Sequence, residues 1–265
     1  MDQTMLPTGV DPRMIEVADT PTAVRRRGSG RPLLFLHGAN FTGKWLPFHD
    51  EIAKRADVIA PDHIGFGATP FQEWLEGFDD LVLHYEEFRR LHGLDEFDLV
   101  GYSLGGWIAA EYATFYPERV RRLVLIAPTG LRVPGKPVRD PATMDTTQLF
   151  DVLFNDRANI DQVLPDLSEP ETVVSLYAEA RTVARLAWNP RHDPKLARRL
   201  RRITCPTLII GAENDRFVPA EMCDLYAEFI PGAQLERIPR TGHALIVEQP
   251  AKVARIILDF LGGSR

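Results

Sequence analysis

Residues 97–111 read FDLVGYSLGGWIAAE. The apolar residues at its start are typical of a buried strand, and the residues after Gly105 are typical of a helix. Between them, residues 101–105 match the G-x-S-x-G pattern of a sharp strand-to-helix turn that exposes a serine hydroxyl. With 19 glycines in 265 residues, chance would produce roughly 0.03 such matches. The pattern therefore predicts a nucleophilic serine at Ser103.

Two backbone N–H groups are expected to stabilise an oxyanion beside this serine. Leu104 is the first residue of the predicted helix after Ser103. Its N–H therefore lies at a helix N-terminus, where N–H groups stabilise negative charge. The second donor is expected in the loop that follows the apolar run 33–36, which begins His37-Gly38. We assign it to the backbone N–H of Ala39, with Asn40 as the alternative. His37 is expected to hold this loop together by hydrogen bonds.

A serine hydroxyl needs a general base, and seven histidines are available. In a sheet of this kind the base follows the last strand, at the edge where the nucleophile lies. Residues 235–238 form the last predicted strand, and His243 follows them five residues later. Only His243 has this placement, which predicts that it is the base.

The carboxylate that orients the base is expected after the preceding strand, residues 207–210. Asp215 and Glu213 both lie in that loop. We choose Asp215 because Asp-x-x-x-Pro ends the loop and starts a helix at Pro219, and Glu213 remains the alternative. The loop after an earlier strand, residues 128–130, offers no carboxylate. The resulting chain order is Ser, Asp, His.

Apolar runs and helical periodicities alternate along the chain, which predicts an α/β fold with a mostly parallel sheet. Polar and apolar residues do not alternate within these runs, as expected for strands that are buried on both faces. Predicted strands cover 33–36, 58–60, 97–100, 123–126, 207–210 and 235–238. Predicted helices cover 81–91, 107–115, 220–229 and 251–261. An antiparallel hairpin is expected at the start, with strands 14–18 and 23–26 and a turn at Thr20-Pro21.

The alternation breaks between about residues 132 and 203, where no strand is apparent. A loop rich in proline and charge precedes helical stretches at 146–154, 171–188 and 194–200. We therefore expect a helical insertion at 132–203 between two parts of one core domain, 1–131 and 204–265. It is short and interrupted by proline, which argues against an independent domain.

Composition excludes several function classes. The net charge is −6 and basic residues are scattered, so a nucleic-acid-binding face is not expected. The two cysteines, Cys205 and Cys223, fit no metal-ligand spacing and no disulfide framework, so free thiols are expected. No signal peptide or bilayer-spanning run is visible, which predicts a cytoplasmic protein without a membrane partner. The oligomeric state is left open.

Together these residues resemble the α/β-hydrolase superfamily. The resemblance covers nearly the whole chain: the hairpin, the His37-Gly38 loop, the Asp62-x-x-Gly65-x-Gly67 segment, the serine turn, and the two residues assigned as acid and base. It implies an eight-stranded sheet, a cap over the site formed by the insertion, and no cofactor or metal.

Within that superfamily, the second glycine of the turn, Gly106, resembles the branch of small carboxylesterases, perhydrolase-like enzymes, lactonases and carbon–carbon bond hydrolases. Haloalkane dehalogenases and epoxide hydrolases carry aspartate where this chain has Ser103. Carbon–carbon hydrolases commonly have a glycine-rich loop after His-Gly, whereas residues 39–42 here read ANFT.

The predicted cap should supply an apolar pocket. The candidates are Phe150, Phe154, Leu176 and Trp188, with Asn40 from the loop below. Packing of the insertion onto the sheet is the alternative for each of these aromatic and aliphatic side chains. Arg181, Arg185 and Arg191 are candidates for a substrate carboxylate, with surface exposure as the alternative.

Three functions compete at this point. The first is a serine hydrolase that cleaves a small, mostly apolar carboxylic ester through an acyl-enzyme on Ser103. The second keeps the same triad and cleaves a lactone or the carbon–carbon bond of a vinylogous diketone. The third is a ligand receptor on a hydrolase fold, against which an intact triad argues.

Overall fold

The protein is built on one eight-stranded sheet, seen here in a computed structural model that describes residues 9–188 and 191–262. The strands are β1 (Gly9–Val17), β2 (Thr20–Gly28), β3 (Pro32–Leu36), β4 (Asp57–Pro61), β5 (Phe97–Tyr102), β6 (Val120–Ile126), β7 (Thr207–Ala212) and β8 (Gln234–Ile238). They lie in the order β1-β2-β4-β3-β5-β6-β7-β8. The first two pairings, β1 with β2 and β2 with β4, are antiparallel.

All pairings from β4 to β8 are parallel, so the carboxyl ends of six strands meet at one edge of the sheet. The expected mostly parallel, eight-stranded α/β sheet is confirmed. The order in which strands are added to the sheet reverses at β3, because the next strand, β4, lies on one side of it and β5 lies on the other. Loops that leave β3 and β5 therefore start next to each other, which brings the predicted oxyanion loop to the serine turn.

Helices cover both faces of the sheet. They are α1 (Pro47–Ala53), α2 (Phe78–Leu91), α3 (Leu104–Phe115), α4 (Thr146–Leu153), α5 (Pro170–Ala187), α6 (Leu196–Leu200), α7 (Glu221–Phe229), α8 (Leu245–Glu248) and α9 (Pro250–Gly262). Residues of α2, α3, α6 and α7 belong to one apolar cluster. Residues of α1, α8 and α9 belong to a second cluster on the other face.

Strand β3 illustrates why the apolar runs do not alternate. Leu34 and Leu36 pack in the first cluster, and Leu33 and Phe35 pack in the second. Successive side chains point to opposite faces, and here each face is covered by helices. Both faces therefore require apolar residues, as the sequence indicated.

The opening hairpin is present, but its predicted turn is wrong. The chain turns at Ala18 and Asp19, which both have positive φ (46° and 65°), and Thr20 already starts β2. Pro21 lies inside the strand, opposite Glu16. A proline is tolerated there because β4 pairs only with the later part of β2, from Val24 onward.

Between β6 and β7 the chain leaves the sheet and forms the helical insertion, residues 132–203. It contains α4, α5 and α6 and two short 3₁₀ turns, at Pro141–Thr143 and Arg157–Gln162. Its described residues form no strand, although His192 makes an isolated bridge to Gly130. Helix α5 packs Val183, Leu186 and Ala187 against the first apolar cluster, and the Thr182 hydroxyl donates a hydrogen bond to the Gly65 carbonyl (3.1 Å).

None of the helices among residues 9–188 and 191–262 combines the length and the apolar character needed to cross a bilayer. In the same part of the chain, Cys205 and Cys223 are both free and buried.

Candidate active site

Ser103 lies on a strained turn between β5 and α3. Its backbone has φ 54° and ψ −113°, a conformation that L-residues avoid. Three hydrogen bonds hold the turn: the Ser103 N–H donates to Ile126 O (2.8 Å), and the Ser103 carbonyl accepts from the N–H groups of Trp107 and Thr129 (3.2 Å each). The strain is thus balanced by contacts to β6 and α3, and the side chain stays in a fixed direction.

The glycines of the turn are required for packing. A Cβ on Gly105 would lie 2.1 Å from Leu36 O, and one on Gly101 would lie 2.3 Å from Gly105 O. A Cβ on Gly106 would lie 2.9 Å from the Cβ of Pro128. These distances are far below van der Waals contact, so helix α3 can approach the sheet this closely only without side chains at these positions.

The serine hydroxyl contacts the predicted base. Ser103 Oγ lies 2.8 Å from His243 Nε2, and His243 Nδ1 lies 2.8 Å from Asp215 Oδ2. The histidine is buried, with 1% of its surface exposed, and Ser103 is 6% exposed. The Tyr102 hydroxyl donates to the His243 carbonyl (2.9 Å), which fixes the loop that carries the ring. Serine, imidazole and carboxylate thus form a continuous hydrogen-bonded chain.

The second oxygen of Asp215 is also satisfied. Its Oδ1 accepts from the N–H groups of Phe217 (2.9 Å) and Val218 (2.8 Å), so the carboxylate is held at both oxygens. Glu213, the alternative acid, is exposed, and its Oε2 instead accepts from the Arg240 N–H at 3.3 Å. The structure therefore brings Asp215, and not Glu213, to the histidine.

Both predicted oxyanion donors border the cavity at Ser103. Leu104 is the first residue of α3, where a helix leaves its N–H groups without intrahelical partners. Ala39 lies in the loop after β3 and lines the same cavity. The N–H of Asn40 is directed at the Glu179 carboxyl group, where it lowers the pKa of that group. Asn40 is therefore less available than Ala39 to bind an oxyanion.

A buried histidine pair supports the Ala39 loop. The backbone N–H of His63 donates a hydrogen bond to His37 Nε2 (3.1 Å). The ring proton of His37 is therefore on Nδ1, which lies 3.1 Å from Gly38 O. His63 Nε2 donates in turn to His37 O (2.8 Å), and its Nδ1 accepts from the Tyr85 hydroxyl. Burial lowers the pKa of His37 to about 3 and also lowers that of His63, so both rings stay neutral. This is the structural role expected of His37.

A cavity of about 220 Å³ opens above the triad, between the sheet edge and the helical insertion. Its apolar wall is formed chiefly by Leu104, Trp107, Val138, Leu149, Leu153, Leu176, Val183 and Phe217. Its polar wall includes Asn40, Thr129, Arg139, Asp140, Glu179 and Arg191. The size and the largely apolar wall suit a small organic molecule.

The structure places only some of the predicted pocket residues at this cavity. Asn40 and Leu176 line it, and Trp188 lines its rim with 60% of its surface exposed. Phe150 and Phe154 do not line it, which corrects the expectation: both pack in the second apolar cluster, where Phe154 is 1% exposed.

The reason is helical geometry. Helix α4 turns Leu149 and Leu153, four residues apart, toward the cavity, so the position after each of them faces away from it. The helical spacing of Phe150 and Phe154 predicts that both share one face, but the rotation of the helix turns the face with Leu149 and Leu153 to the cavity.

The three candidate arginines differ in placement. The Arg181 guanidinium stacks on the Phe71 ring at 4.3 Å, and Arg185 Nε donates to Leu75 O at 2.8 Å. Neither borders the cavity. Arg191 does, but it forms an ion pair with Asp140 at 2.5 Å. Its charge is thus largely balanced within the protein.

Glu179 and Phe217 are cavity residues that the sequence reasoning missed. Phe217 packs on His243, with ring centroids 5.0 Å apart. Glu179 lies at helical spacing from Leu176 and Val183, so a carboxylate on the inner face of an amphipathic helix was the available signal. Among residues 9–188 and 191–262, no group of three His, Cys, Asp or Glu side chains is arranged to hold a metal ion.

Comparison with known proteins gives the same fold. The model of the alpha/beta hydrolase family matches residues 33–256. The chain is 30% identical to a 2-hydroxymuconate semialdehyde hydrolase of Pseudomonas sp. (strain CF600), covering 94% of this chain and 93% of that one. It is 27% identical to a monoacylglycerol lipase of Mus musculus, covering 89% of this chain and 77% of the lipase.

Among solved structures, a serine hydrolase involved in carbazole degradation superposes with a TM-score of 0.77 at 25% identity. The superposition covers 95% of this chain and 98% of the other. These relatives thus include enzymes that cleave different bonds on one fold.

Proposed function

The chain belongs to the alpha/beta hydrolase family, and on that premise we propose that it is a serine hydrolase that cleaves a small, mostly apolar carboxylic ester. The observation that carries the proposal is the 2.8 Å contact from Ser103 Oγ to His243 Nε2 at the floor of a largely apolar cavity. A hydroxyl in hydrogen-bond contact with an imidazole nitrogen is the arrangement that acyl transfer requires.

In the first half of the reaction, Ser103 Oγ attacks the ester carbonyl carbon while His243 Nε2 takes the hydroxyl proton. Asp215 holds the imidazole in the tautomer that accepts at Nε2 and stabilises the imidazolium once it forms. The carbonyl oxygen becomes an oxyanion and accepts hydrogen bonds from the N–H groups of Ala39 and Leu104. Collapse of this intermediate breaks the C–O bond, and His243 gives its proton to the departing alcohol.

In the second half, the acyl group is attached to Ser103 and water replaces the alcohol. His243 takes a proton from that water, the resulting hydroxide attacks the acyl carbon, and the same two N–H groups hold the oxyanion. The acid leaves as Ser103 recovers its proton from His243. A lactone follows the same two steps, but its alcohol stays on the acyl chain.

The helical insertion, residues 132–203, acts as a cap in this proposal. Leu149 and Leu153 of α4 and Leu176 and Val183 of α5 present apolar surface to the substrate from above. Burial of the acyl or alkyl chain against them supplies binding free energy of about 25 cal/mol per Å² of apolar surface. Exclusion of water by the same contacts strengthens the hydrogen bonds at the oxyanion.

Hydrolysis of a carbon–carbon bond is the second candidate. It is favoured by the 30% identity, over nearly the whole chain, to a 2-hydroxymuconate semialdehyde hydrolase. Other relatives act on dienoates, which carry a carboxylate. Two arginines among the described residues line this cavity: Arg191 is paired with Asp140, and the exposed Arg139 donates its Nε to the Arg216 carbonyl at 2.8 Å. The buried carboxyl group of Glu179 favours an uncharged ester over an anionic dienoate.

A direct comparison of substrate classes tests the proposal. We would measure kcat/KM for p-nitrophenyl butyrate, for δ-valerolactone and for 2-hydroxy-6-oxo-2,4-heptadienoate on one enzyme preparation, with Ser103→Ala as the background. The proposal predicts that the ester exceeds the dienoate by about 100-fold or more. A preference for the dienoate of similar size would transfer the assignment to carbon–carbon hydrolysis, and a preference for the lactone would make the enzyme a lactonase.

A further inference from the structure

A buried carboxyl group of the insertion, that of Glu179, reaches the catalytic cavity. Glu179 lies in the middle of α5, is only 7% exposed and lines the same cavity as Ser103. Neighbouring positions on that face of α5 carry Leu176, Ala180 and Val183, so the carboxylate interrupts an otherwise apolar surface. A buried carboxyl group costs free energy unless it has hydrogen-bond donors or a cation beside it.

Only one side of this carboxylate has its partners within the protein. Oε1 accepts from the Gly67 N–H at 3.3 Å, and the Thr42 hydroxyl and the Asn40 N–H also donate to the group. These contacts anchor α5 to the loops after β3 and β4. The other oxygen, Oε2, is buried and has no hydrogen-bond partner within residues 9–188 and 191–262.

Among the residues that the structure describes, no cation forms a short-range ion pair with Glu179. In the described part of the chain, no Lys or Arg nitrogen lies within 4.0 Å of its carboxylate. Lys44 attracts it from a greater distance, and the carboxylate of Asp62 opposes its ionisation. Burial is the main cause that raises the pKa of Glu179, as expected for a carboxyl group without a counter-ion.

We propose that Glu179 is a specificity-determining residue whose carboxyl group accepts a hydrogen bond from a hydroxyl or ammonium group of the substrate. The proposal rests on the proposed function in placing that substrate at Ser103. A donor bound at the cavity wall adds a partner to a buried carboxyl group whose hydrogen bonding is incomplete within residues 9–188 and 191–262. A substrate carboxylate in the same place would be repelled by the carboxylate of Glu179 in a poorly hydrated cavity. Acidic substrates are therefore disfavoured.

Binding of three matched ligands tests this inference. Hexylammonium, 1-hexanol and hexanoate share one alkyl chain and differ in the terminal group. We would measure their dissociation constants by titration calorimetry on Ser103→Ala, in which the hydroxyl of the nucleophile is absent. We expect the ammonium and the alcohol to bind at least tenfold more tightly than the carboxylate.

The double variant Ser103→Ala/Glu179→Gln then removes the charge and keeps the shape. We expect it to bind hexylammonium at least tenfold more weakly and hexanoate more tightly, with a smaller loss for 1-hexanol because an amide oxygen still accepts. Glu171→Gln, in the exposed first turn of α5, is the matched control and should leave all three constants unchanged.

Two results would overturn the inference. One is hexanoate binding as tightly as hexylammonium to the parent protein, which decides the matter even when the Gln variant does not fold. The other is a parallel change in all three constants on Glu179→Gln, together with a lower unfolding temperature, which would assign Glu179 to anchoring alone. Since binding is measured without turnover, a failure of the ester proposal would appear separately, in the kinetics.

Discussion

The backbone at Ser103 is strained, and the strain has a measurable consequence. At φ 54° a Cβ is unfavourable, whereas glycine adopts positive φ freely. We predict that Ser103→Gly is more stable than Ser103→Ala by about 1 kcal/mol, since alanine keeps the Cβ. Thermal unfolding of the two variants under identical conditions measures this difference. An alanine variant as stable as the glycine variant would mean that the turn is unstrained.

The assignment of the acid is a second prediction at this scale. The Asp215 carboxylate contacts His243, whereas the Glu213 carboxylate accepts a hydrogen bond from the Arg240 backbone N–H. We expect Asp215→Asn to reduce kcat by about 10⁴-fold, because an amide at this position imposes the wrong histidine tautomer. Glu213→Gln is the matched control and should stay within a few-fold of wild type. The reverse ranking would assign the acid to Glu213.

Sequence reasoning predicts the placement of residues that belong to a local pattern. Ser103, Leu104 and the two flanking glycines belong to one short motif, and His243 and Asp215 follow directly after strands. Glu179 could not be assigned in this way, because its partner Gly67 lies 112 positions away in the chain. Which face of α5 meets the cavity depends on how the insertion packs, and a carboxylate alone does not reveal this.

At the scale of elements, the close approach of α3 to the sheet is the critical contact. A Cβ at residue 105 would overlap the carbonyl of Leu36, and backbone on both sides would have to move. We predict that Gly105→Ala lowers the free energy of unfolding by more than about 3 kcal/mol and impairs turnover.

Gly262→Ala is the control for that substitution. Its Cβ would meet only the end of the Arg55 side chain, at 3.9 Å, in the last turn of α9. We expect it to leave stability within about 1 kcal/mol of wild type, and urea unfolding measures both variants. Equal stability of the two variants would refute the packing argument.

Element boundaries were harder to predict than element types. Thr20 and Pro21 are residue types that are common in turns, yet the turn lies at Ala18 and Asp19. Both of these residues have positive φ, a conformation for which glycine is usually required. The pairing of β2 with both neighbours imposes the register and shifts the turn. Long-range pairing outweighed local preference in this hairpin.

For the whole molecule, buried neutral histidines link stability to pH. Burial lowers the pKa of His49 and of His84 to about 4, against 6.5 in the unfolded chain. Below about pH 6.5 the unfolded chain therefore binds protons that the folded protein does not bind. Stability is retained above that pH and is lost as pH falls toward 4.

Replacement of one such histidine should reduce this loss. His84 lies on α2, with Nε2 3.3 Å from the Thr22 hydroxyl. We predict that His84→Gln loses about 2 kcal/mol less stability than wild type between pH 7 and pH 5. Urea unfolding at both pH values gives the difference, and the pH 7 values supply the baseline cost of the substitution. An identical pH dependence would show that His84 does not contribute.

The overall architecture followed from the sequence because buried parallel strands and amphipathic helices leave distinct patterns. The cavity could not be predicted from the sequence, because it forms between the insertion and the edge of the sheet. Thr182 and Gly65, whose contact helps to close it, are 117 positions apart. Such contacts depend on the packing of whole elements, which periodicity does not encode.

Hydrolysis of a p-nitrophenyl ester series, from acetate to octanoate, by wild type and Ser103→Ala tests whether the protein is an esterase with Ser103 as its nucleophile. Both proteins would be compared at equal folded concentration. We predict turnover by wild type with a chain-length optimum that reports the cavity size, and a loss of at least about 10⁴-fold in the variant. Comparable activity of the variant, or no turnover of any ester by folded wild type, would contradict the account.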